Sequence, residues 1–170
     1  MSESGRGVCS VCGAADEAEA LFAVDGQPLC PRCLFGEAAP VTIYPIGVVR
    51  NTQQRDDSDF GLRARERVSR IELHGGQARF MHRLEDEERL TIVYYLHEAR
   101  PVRSRFRRGL DGKQVGVFAS RTPDRLSRLG IQDVRLVRVE GTVLVVEGLD
   151  AIDGTPVLDI KMAWHARVSP

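Results

Sequence analysis

The sequence of 170 residues lacks any apolar run that approaches a membrane-spanning length of roughly 18 residues. Its first ten residues, MSESGRGVCS, contain no apolar stretch of the kind that a secretory signal peptide carries. It also lacks net charge, because 24 basic residues balance 24 acidic ones. These absences favour a cytoplasmic protein without a membrane partner, and charge alone does not indicate what the protein binds.

Lysine is nearly absent, since 22 of the 24 basic residues are arginine and only Lys113 and Lys161 are lysine. Arginine binds phosphate and carboxylate groups through two hydrogen bonds, which favours a nucleic-acid ligand. The coding bias of a GC-rich genome explains the same composition equally well. The charge is also uneven: residues 1–40 hold six acidic and two basic residues, so the remainder carries 22 basic and 18 acidic ones.

The cysteines form one pattern, in which two CxxC pairs are separated by seventeen residues: Cys9, Cys12, Cys30 and Cys33. This is the spacing of a four-thiolate zinc site, with Gly13 after the first pair and Pro31 inside the second. Two disulfides or a redox pair are the alternatives, and they fit an intracellular chain with two such pairs less well. The pattern therefore predicts a zinc ribbon over residues 1–38, with a turn at Asp25-Gly26.

Four thiolates fill the tetrahedron around the metal, so the predicted zinc is structural and not catalytic. A module this small cannot bury enough surface to fold alone, and the metal would contribute on the order of 10 kcal/mol. The ribbon would serve in docking, dimerisation or nucleic-acid contact, although its acidic charge counts against the last role.

The rest of the chain, residues 39–170, has the texture of β-structure and predicts an all-β barrel or closed sheet. Ser69, Ile71 and Leu73 should share one face of their strand, and Leu158, Ile160, Met162 and Trp164 should share one face of the last. Only residues 76–89 suggest a helix. The expected strands are residues 41–49, 67–73, 90–96, 114–119, 134–139, 143–149 and 157–164.

A dense arginine cluster, RPVRSRFRR, spans residues 100–108 and carries five arginines with one interleaved aromatic residue. In a loop between strands it would bind a phosphate backbone, with the aromatic ring available to stack a base. A solvated loop is the alternative. The candidate nucleic-acid residues are Arg100, Arg103, Arg105, Phe106, Arg107 and Arg108.

Three carboxylates crowd one corner of the chain, in the segment LDAIDGTPVLDIK from Leu149 to Lys161. Asp150, Asp153 and Asp159 either cap an ordinary turn or line a site. No Walker loop and no GxGxxG motif accompanies them, so a standard nucleotide-binding fold is not indicated.

Three segments, YPIGVVR, GVFASRTPDR and LDAIDGTPVLDIK, together resemble the TsaA-like (YaeB-like) family in order and spacing. The resemblance runs from Tyr44 to Met162 and excludes the cysteine pattern. It implies a small antiparallel β-barrel, usually dimeric, over residues 39–170. It also implies an S-adenosyl-L-methionine-dependent methyltransferase that modifies threonylcarbamoyladenosine in tRNA.

The resemblance assigns the corner to the wall of a cofactor pocket. It implies S-adenosyl-L-methionine contacts for Leu149, Asp150, Asp153, Gly154 and Thr155, an apolar contact for Leu90, and a cation, Arg121, for the cofactor's carboxylate.

The loops that should face the substrate depart from the family, namely Glu88-Arg89, Asp59-Phe60-Gly61 and Arg125–Gly130. Two other functions therefore stay open: a non-catalytic adaptor that binds the cofactor or RNA, with the ribbon for docking, and a methyltransferase for a small metabolite.

Overall fold

A computed structural model describes residues 5–54 and 67–164. The departing triplet Asp59-Phe60-Gly61 lies outside the described residues. The chain divides into two compact units, one of Met1–Thr42 with Ala99–Arg128 and the other of Ile43–Glu98 with Leu129–Pro170. We call the first the cysteine unit and the second the barrel unit. A boundary between domains near residue 38 stays a prediction.

Strands dominate both units, and no helix in the described ranges has the length and apolarity to cross a membrane. The α-helix of the described residues, α1, covers Pro31–Phe35. The described strands are β1 (Arg6–Val8), β2 (Ala15–Glu17), β3 (Phe22–Val24), β4 (Gln27–Leu29), β5 (Gly47–Arg50), β6 (Val68–Leu73), β7 (Arg89–Tyr95), β8 (Arg105–Arg107), β9 (Gln114–Gly116), β10 (Leu129–Glu140), β11 (Val143–Glu147) and β12 (Pro156–Met162).

Six of these strands close into a barrel in the order β10-β11-β6-β5-β12-β7. Every neighbouring pair is antiparallel. The remaining strands form the two-stranded pairs β1–β2, β3–β4 and β8–β9, all within the cysteine unit. The predicted small antiparallel β-barrel preceded by a cysteine module is confirmed.

Side chains at alternate positions of the barrel strands point inward and fill the core of the barrel. Ser69, Ile71 and Leu73 of β6 are buried, as predicted, while Arg70 faces outward. On β10, Gly130 lies under the ring of Tyr94 so closely that any β-carbon there would overlap the ring. The barrel interior is therefore packed with aliphatic side chains and a tyrosine, and its chemistry must lie at a rim.

Two predictions about local structure are wrong. Residues 76–89 form no α-helix but two 3-10 helices, Gly75–Phe80 and Leu84–Asp86, neither of which has a buried residue to hold a longer helix. In β12 a register shift between Val157 and Asp159 redirects the side chains. Ile160 still packs against the core, but Met162, the last residue of β12, and Trp164 beyond it are 60% and 83% exposed, so the predicted core face is not continuous.

Two predicted strands are shorter than expected. β5 begins only at Gly47, beyond Pro45, whose missing N–H cannot join a sheet ladder. β9 ends at Gly116, and a 3-10 helix over Val117–Ala119 follows.

Candidate functional site

The corner between β11 and β12, residues 148–155, is tied to the loop that follows β5. The Val49 N–H donates to the Thr155 carbonyl at 2.9 Å, and the Asn51 N–H donates to Asp153 Oδ1 at 3.0 Å. Arg50 Nη1 lies 3.9 Å from Asp153 Oδ2. The Asp153 carboxylate therefore holds the corner together, which matches the turn-capping interpretation for this residue.

Three successive carbonyls of the corner accept hydrogen bonds from side chains that the sequence analysis did not single out. Gln53 Nε2 donates to Leu149 at 3.4 Å, Tyr94 Oη to Asp150 at 3.2 Å and Asn51 Nδ2 to Ala151 at 2.8 Å. The polar Asn and Gln directly after a buried strand, in VVRNTQQ, were the available signal. These contacts fix the backbone of the corner from the barrel side.

Asp159 lies on β12, past the corner, and its carboxylate is engaged there. Its Oδ2 is 2.6 Å from Lys161 Nζ, and its Oδ1 accepts the Ile160 N–H at 2.9 Å. Since both oxygens have partners on the same strand, the ion pair and the hydrogen bond account for this residue.

Asp150 is the carboxylate of the corner with an unused oxygen. Among the described residues neither its buried Oδ1 nor the buried side-chain oxygen Oε1 of Gln53 has a hydrogen-bond partner. Burial raises the pKa of Asp150, while the charge of Arg67 opposes the rise. The Gln53 amide oxygen accepts hydrogen bonds, and so does the Asp150 carboxylate when it is ionised. The corner therefore suits a ligand that donates hydrogen bonds.

His97 follows β7 and approaches the same corner. Its Nε2 lies 3.8 Å from the position of a β-carbon at Gly154, whose φ of +79° favours glycine. Its Nδ1 is buried without a hydrogen-bond partner. The sequence analysis did not assign His97 to the site, because a lone histidine after a strand carries no spacing signal.

The remaining predicted cofactor residues fall into two groups. Leu90 and Leu149 are fully buried in the barrel core, and Thr155 is buried as well. Arg121 belongs to the cysteine unit and is exposed. Packing alone accounts for the two leucines, so their contacts with a cofactor, and that of Arg121, stay predictions.

The four cysteines converge, with their sulfur atoms all within 4.8 Å of one another. All are free thiols, and Cys12 Sγ lies 3.8 Å from Cys30 Sγ, far beyond a disulfide bond. Gly13, with φ of +73°, closes the first pair through its N–H to the Cys9 carbonyl at 2.9 Å. Both pairs thus present sulfur in the arrangement of a four-ligand metal site.

The thiols differ in acidity because of their surroundings. Backbone N–H groups of Cys12, Cys30 and Val11 lower the pKa of Cys9 to about 6. Hydrogen bonding with the thiols of Cys30 and Cys12 raises the pKa of Cys33 to about 12. Four crowded sulfurs resist becoming four thiolates together, and a divalent cation among them would remove that resistance.

The arginine segment, residues 100–108, leads into the β8–β9 pair. Arg105 and Arg107 are exposed on one face of β8, and Phe106 is half-buried on the other. Arg108 is occupied, because its Nη2 donates to Asp111 Oδ2 at 2.6 Å and its Nη1 donates to the Ala119 carbonyl at 3.2 Å. A phosphate contact by Arg108, and base stacking by Phe106, stay predictions.

Comparison with known proteins identifies the class. Residues 58–166 match the family described as the tRNA-methyltransferase O N-terminal domain. The chain belongs to this family, and the resemblance to TsaA-like proteins is confirmed.

Two relatives match over most of their length. An S-adenosyl-L-methionine-binding protein of Archaeoglobus fulgidus is 32% identical over 120 residues, which are 70% of this chain and 86% of the relative. The probable S-adenosyl-L-methionine-binding protein VirR of Rhizobium radiobacter is 33% identical over 127 residues, covering 74% and 72%.

Proteins named for catalysis match over smaller shares. The solved TrmO of Pseudomonas aeruginosa has a TM-score of 0.61 and 26% identity, with 78% of this chain and 60% of that chain covered. The tRNA (adenine(37)-N6)-methyltransferase of mouse is 48% identical over 52 residues, which are only 12% of its length. The chain therefore spans about 60% of the solved TrmO chain.

Proposed function

We propose that this protein is an S-adenosyl-L-methionine-dependent methyltransferase that modifies tRNA or another RNA. The observation that carries the proposal is the corner, where Asp150 Oδ1 and Gln53 Oε1 are buried acceptors without partners. They occur in a chain of a family whose relatives are named for binding this cofactor.

The donor groups of S-adenosyl-L-methionine fit these acceptors. Its ammonium and ribose hydroxyls donate hydrogen bonds, and the Asp150 carboxylate would accept a charge-assisted one. Its carboxylate needs a cation, for which Arg121 is the candidate. The cofactor supplies an electrophilic methyl group, which an acceptor atom takes as the sulfonium becomes a thioether and the acceptor gives up a proton.

Three finer assignments belong to the same proposal. The metal of the cysteine site is zinc, because four thiolates at tetrahedral spacing suit zinc. The protein acts in the cytoplasm, where thiols stay reduced. It forms a homodimer, a state supported by Leu129 and Ile131, which lie on one face of β10 and are 36% and 58% exposed.

Calorimetric titration with S-adenosyl-L-methionine tests the cofactor half of the proposal. We expect micromolar or tighter binding, about tenfold weaker binding in Asp150→Asn, and unchanged binding in Asp159→Asn, whose carboxylate is engaged on its own strand. Equal affinity in the wild type and both variants would exclude Asp150 from the site. Arg121→Ala should also weaken binding.

The same variant gives a stability readout in the absence of cofactor. Burial raises the pKa of Asp150 in the folded state, so its ionisation begins to oppose folding as the pH rises through the unfolded-state value of about 3.9 and opposes it fully above the raised value. Asp150→Asn removes this opposition and should raise the melting temperature by about 2 °C at pH 7. The difference should vanish below pH ~3.9, where the acid is neutral in both states. A lower melting temperature at pH 7 would show that Asp150 is a structural residue.

A non-catalytic adaptor is the second candidate, and one observation favours it. Arg125, which opens the departing loop, donates through Nε to the Thr122 carbonyl at 2.9 Å and through Nη2 to the Ser120 carbonyl at 2.8 Å. Its guanidinium therefore holds its own loop together. Transfer of a radiolabelled methyl group to bulk tRNA separates the candidates, because an adaptor binds the cofactor without transfer. Transfer only to small molecules would support the metabolite enzyme.

A further inference from the structure

The hairpin β3–β4 of the cysteine unit is joined directly to the arginine segment. Val24 and Val102 form a parallel β-bridge. The Asp25 N–H donates to the Val102 carbonyl at 2.8 Å, and the Val102 N–H donates to the Ala23 carbonyl at 3.2 Å. The residues that precede β8 therefore extend the sheet of a hairpin that lies between the two cysteine pairs.

The turn of that hairpin supplies one more contact. Asp25 and Gly26 both have positive φ, 51° and 77°, as a two-residue hairpin turn requires. The Asp25 carboxylate projects from the turn, and its Oδ1 accepts the Ser104 N–H at 2.8 Å. The pKa of Asp25 is lowered by the Ser104 hydroxyl and N–H, with smaller contributions from Arg105 and Arg103. Asp25 thus caps the backbone immediately before β8.

The segment that Asp25 caps presents its arginines outward. Arg103, Arg105 and Arg107 are exposed, and none forms an ion pair within 4.0 Å of another residue in the described ranges. The Ser104 carbonyl accepts the Val117 N–H at 3.1 Å, which fixes the segment from the other side. An ordered backbone with unpaired guanidinium groups at alternate positions suits phosphate contacts. Because the segment is ordered before it binds, binding loses less conformational entropy.

We propose that the β3–β4 hairpin is a scaffold that holds Arg103, Arg105 and Arg107 in position to bind an RNA phosphate backbone, with Asp25 as its positioning residue. The acidic cysteine unit then serves RNA binding without contacting RNA through its own acidic side chains. This inference rests on the proposed RNA substrate and assigns a surface to it.

Substitutions at Asp25 distinguish a positioning role from a purely electrostatic one, because the two roles predict changes of opposite sign in the affinity for RNA. Asp25→Gly keeps the positive φ but removes the acceptor for Ser104. Asp25→Asn removes the charge but keeps both the acceptor and the tolerance of positive φ. Asp16→Asn removes a charge elsewhere in the same unit, where the carboxylate contacts only the Glu17 N–H. The three variants therefore vary charge and support independently.

Affinity for a fluorescein-labelled tRNA transcript is measured by anisotropy at fixed salt concentration. We expect Asp25→Gly to bind about tenfold more weakly, whereas Asp25→Asn and Asp16→Asn bind as well as the wild type or more tightly. Stronger binding by Asp25→Gly would overturn the inference, because loss of a nearby negative charge alone predicts it. Equal affinity for Asp25→Gly and the wild type would overturn it as well.

The rate of trypsin cleavage tests, in the absence of RNA, whether Asp25 keeps the arginine segment ordered. Cleavage after Arg103, Arg105 and Arg107 should accelerate in Asp25→Gly and stay at the wild-type rate in Asp25→Asn. Equal cleavage rates in all variants would contradict the positioning role. If the wild type binds no tRNA, the RNA substrate and this inference both fail. If it binds tRNA and Asp25→Gly is normal, only the scaffold role fails.

Discussion

Arginine serves different ends in the two units of the molecule. In the barrel unit four strand arginines pair with glutamates: Arg50 with Glu72 and Arg135 with Glu147 across neighbouring strands, Arg70 with Glu140, and Arg138 with Glu140 of its own strand. In the cysteine unit Arg103, Arg105, Arg107 and Arg121 are exposed and form no ion pair with another described residue. The four strand arginines of the barrel are therefore neutralised, whereas the arginines of the arginine segment, apart from Arg108 with its partner Asp111, keep their charge available to an anion.

This separation bears on the origin of the arginine excess. A coding bias in favour of arginine would replace lysine throughout the chain without regard to partners. Arg103, Arg105 and Arg107 instead share one ordered segment and form no ion pair among the described residues, while Glu72, Glu140 and Glu147 of the barrel strands have basic partners. The composition alone did not distinguish the two explanations, and the grouping of these three arginines favours an anionic ligand for the segment.

Removal of the metal from the cysteine site should have the largest effect, and it should lower the affinity for tRNA far more than the affinity for the cofactor. Without it, the cysteine unit loses a contribution on the order of 10 kcal/mol and with it the support of the arginine segment. In Cys12→Ser/Cys33→Ser, tRNA affinity should fall more than about tenfold. Affinity for S-adenosyl-L-methionine should fall no further than it does in Arg121→Ala, because hydrogen bonds within the barrel unit build the corner and Arg121 is the candidate cofactor contact that lies in the cysteine unit.

Metal content is measured on the same samples by mass spectrometry. The wild type should contain one zinc per chain and the double variant none. Loss of cofactor binding together with tRNA binding would show that the two units fold as one, and the comparison between them would then fail.

Replacement of the unpaired arginines should have the next largest effect. The variant Arg103→Ala/Arg105→Ala/Arg107→Ala removes three potential phosphate contacts. The slope of log affinity against log salt should therefore become shallower by about 2, at roughly 0.7 per contact for a single strand. Anisotropy titrations of labelled tRNA at several salt concentrations give the slope.

The paired arginines of the barrel provide a matched control for this variant. Arg70→Ala/Arg135→Ala/Arg138→Ala removes the same formal charge from the chain. It should leave the salt slope within about 0.5 of the wild-type value, because these guanidinium groups are engaged by glutamates. Equal changes of the salt slope in the two variants would mean that RNA affinity depends on the net charge of the protein and not on contacts with the arginine segment.

The fold was largely predictable because period-2 alternation and CxxC spacing are local signals. The buried positions Ser69, Ile71 and Leu73 follow directly from alternation, and the convergence of the four cysteines follows from their spacing. The exposure of Met162 and Trp164 was not predictable, because the alternation does not show that β12 ends at Met162 and that the chain leaves the core there. The prediction of a helix over residues 76–89 is wrong because this charged stretch has no continuous apolar face that could pack against the core.

The site was predictable in its location but not in its construction. The three carboxylates marked the corner, and the structure separates them: Asp153 and Asp159 have partners, and Asp150 keeps a buried oxygen without one. Asn51 lies 102 residues from Asp153 in sequence, so no local pattern could show that pairing. Asp25 and Ser104 are 79 residues apart, so no local pattern in the sequence shows the contact between the β3–β4 hairpin and residues 102–104 either.

A single ion pair on the barrel should show the smallest effect, and it tests how far pairing stabilises that unit. Arg135 Nε donates to Glu147 Oε2 at 2.7 Å, across the β10–β11 pair. Because the arginine side chain is 54% exposed, solvent screens the pair, and a double-mutant cycle with Arg135→Ala and Glu147→Ala should give a coupling of about 0.2–1 kcal/mol. Chemical denaturation at low and high salt measures it, and high salt should reduce it.

A coupling well above 1 kcal/mol that persists at high salt would mean that the pair is structural in the manner of a buried network. The barrel arginines would then be retained for stability. A coupling near 0.5 kcal/mol means that pairing mainly leaves these arginines unavailable to anions. In that case the two units differ less in what arginine contributes to folding than in what it leaves open to a ligand, and the arginine segment is the part of the surface that an RNA backbone would meet.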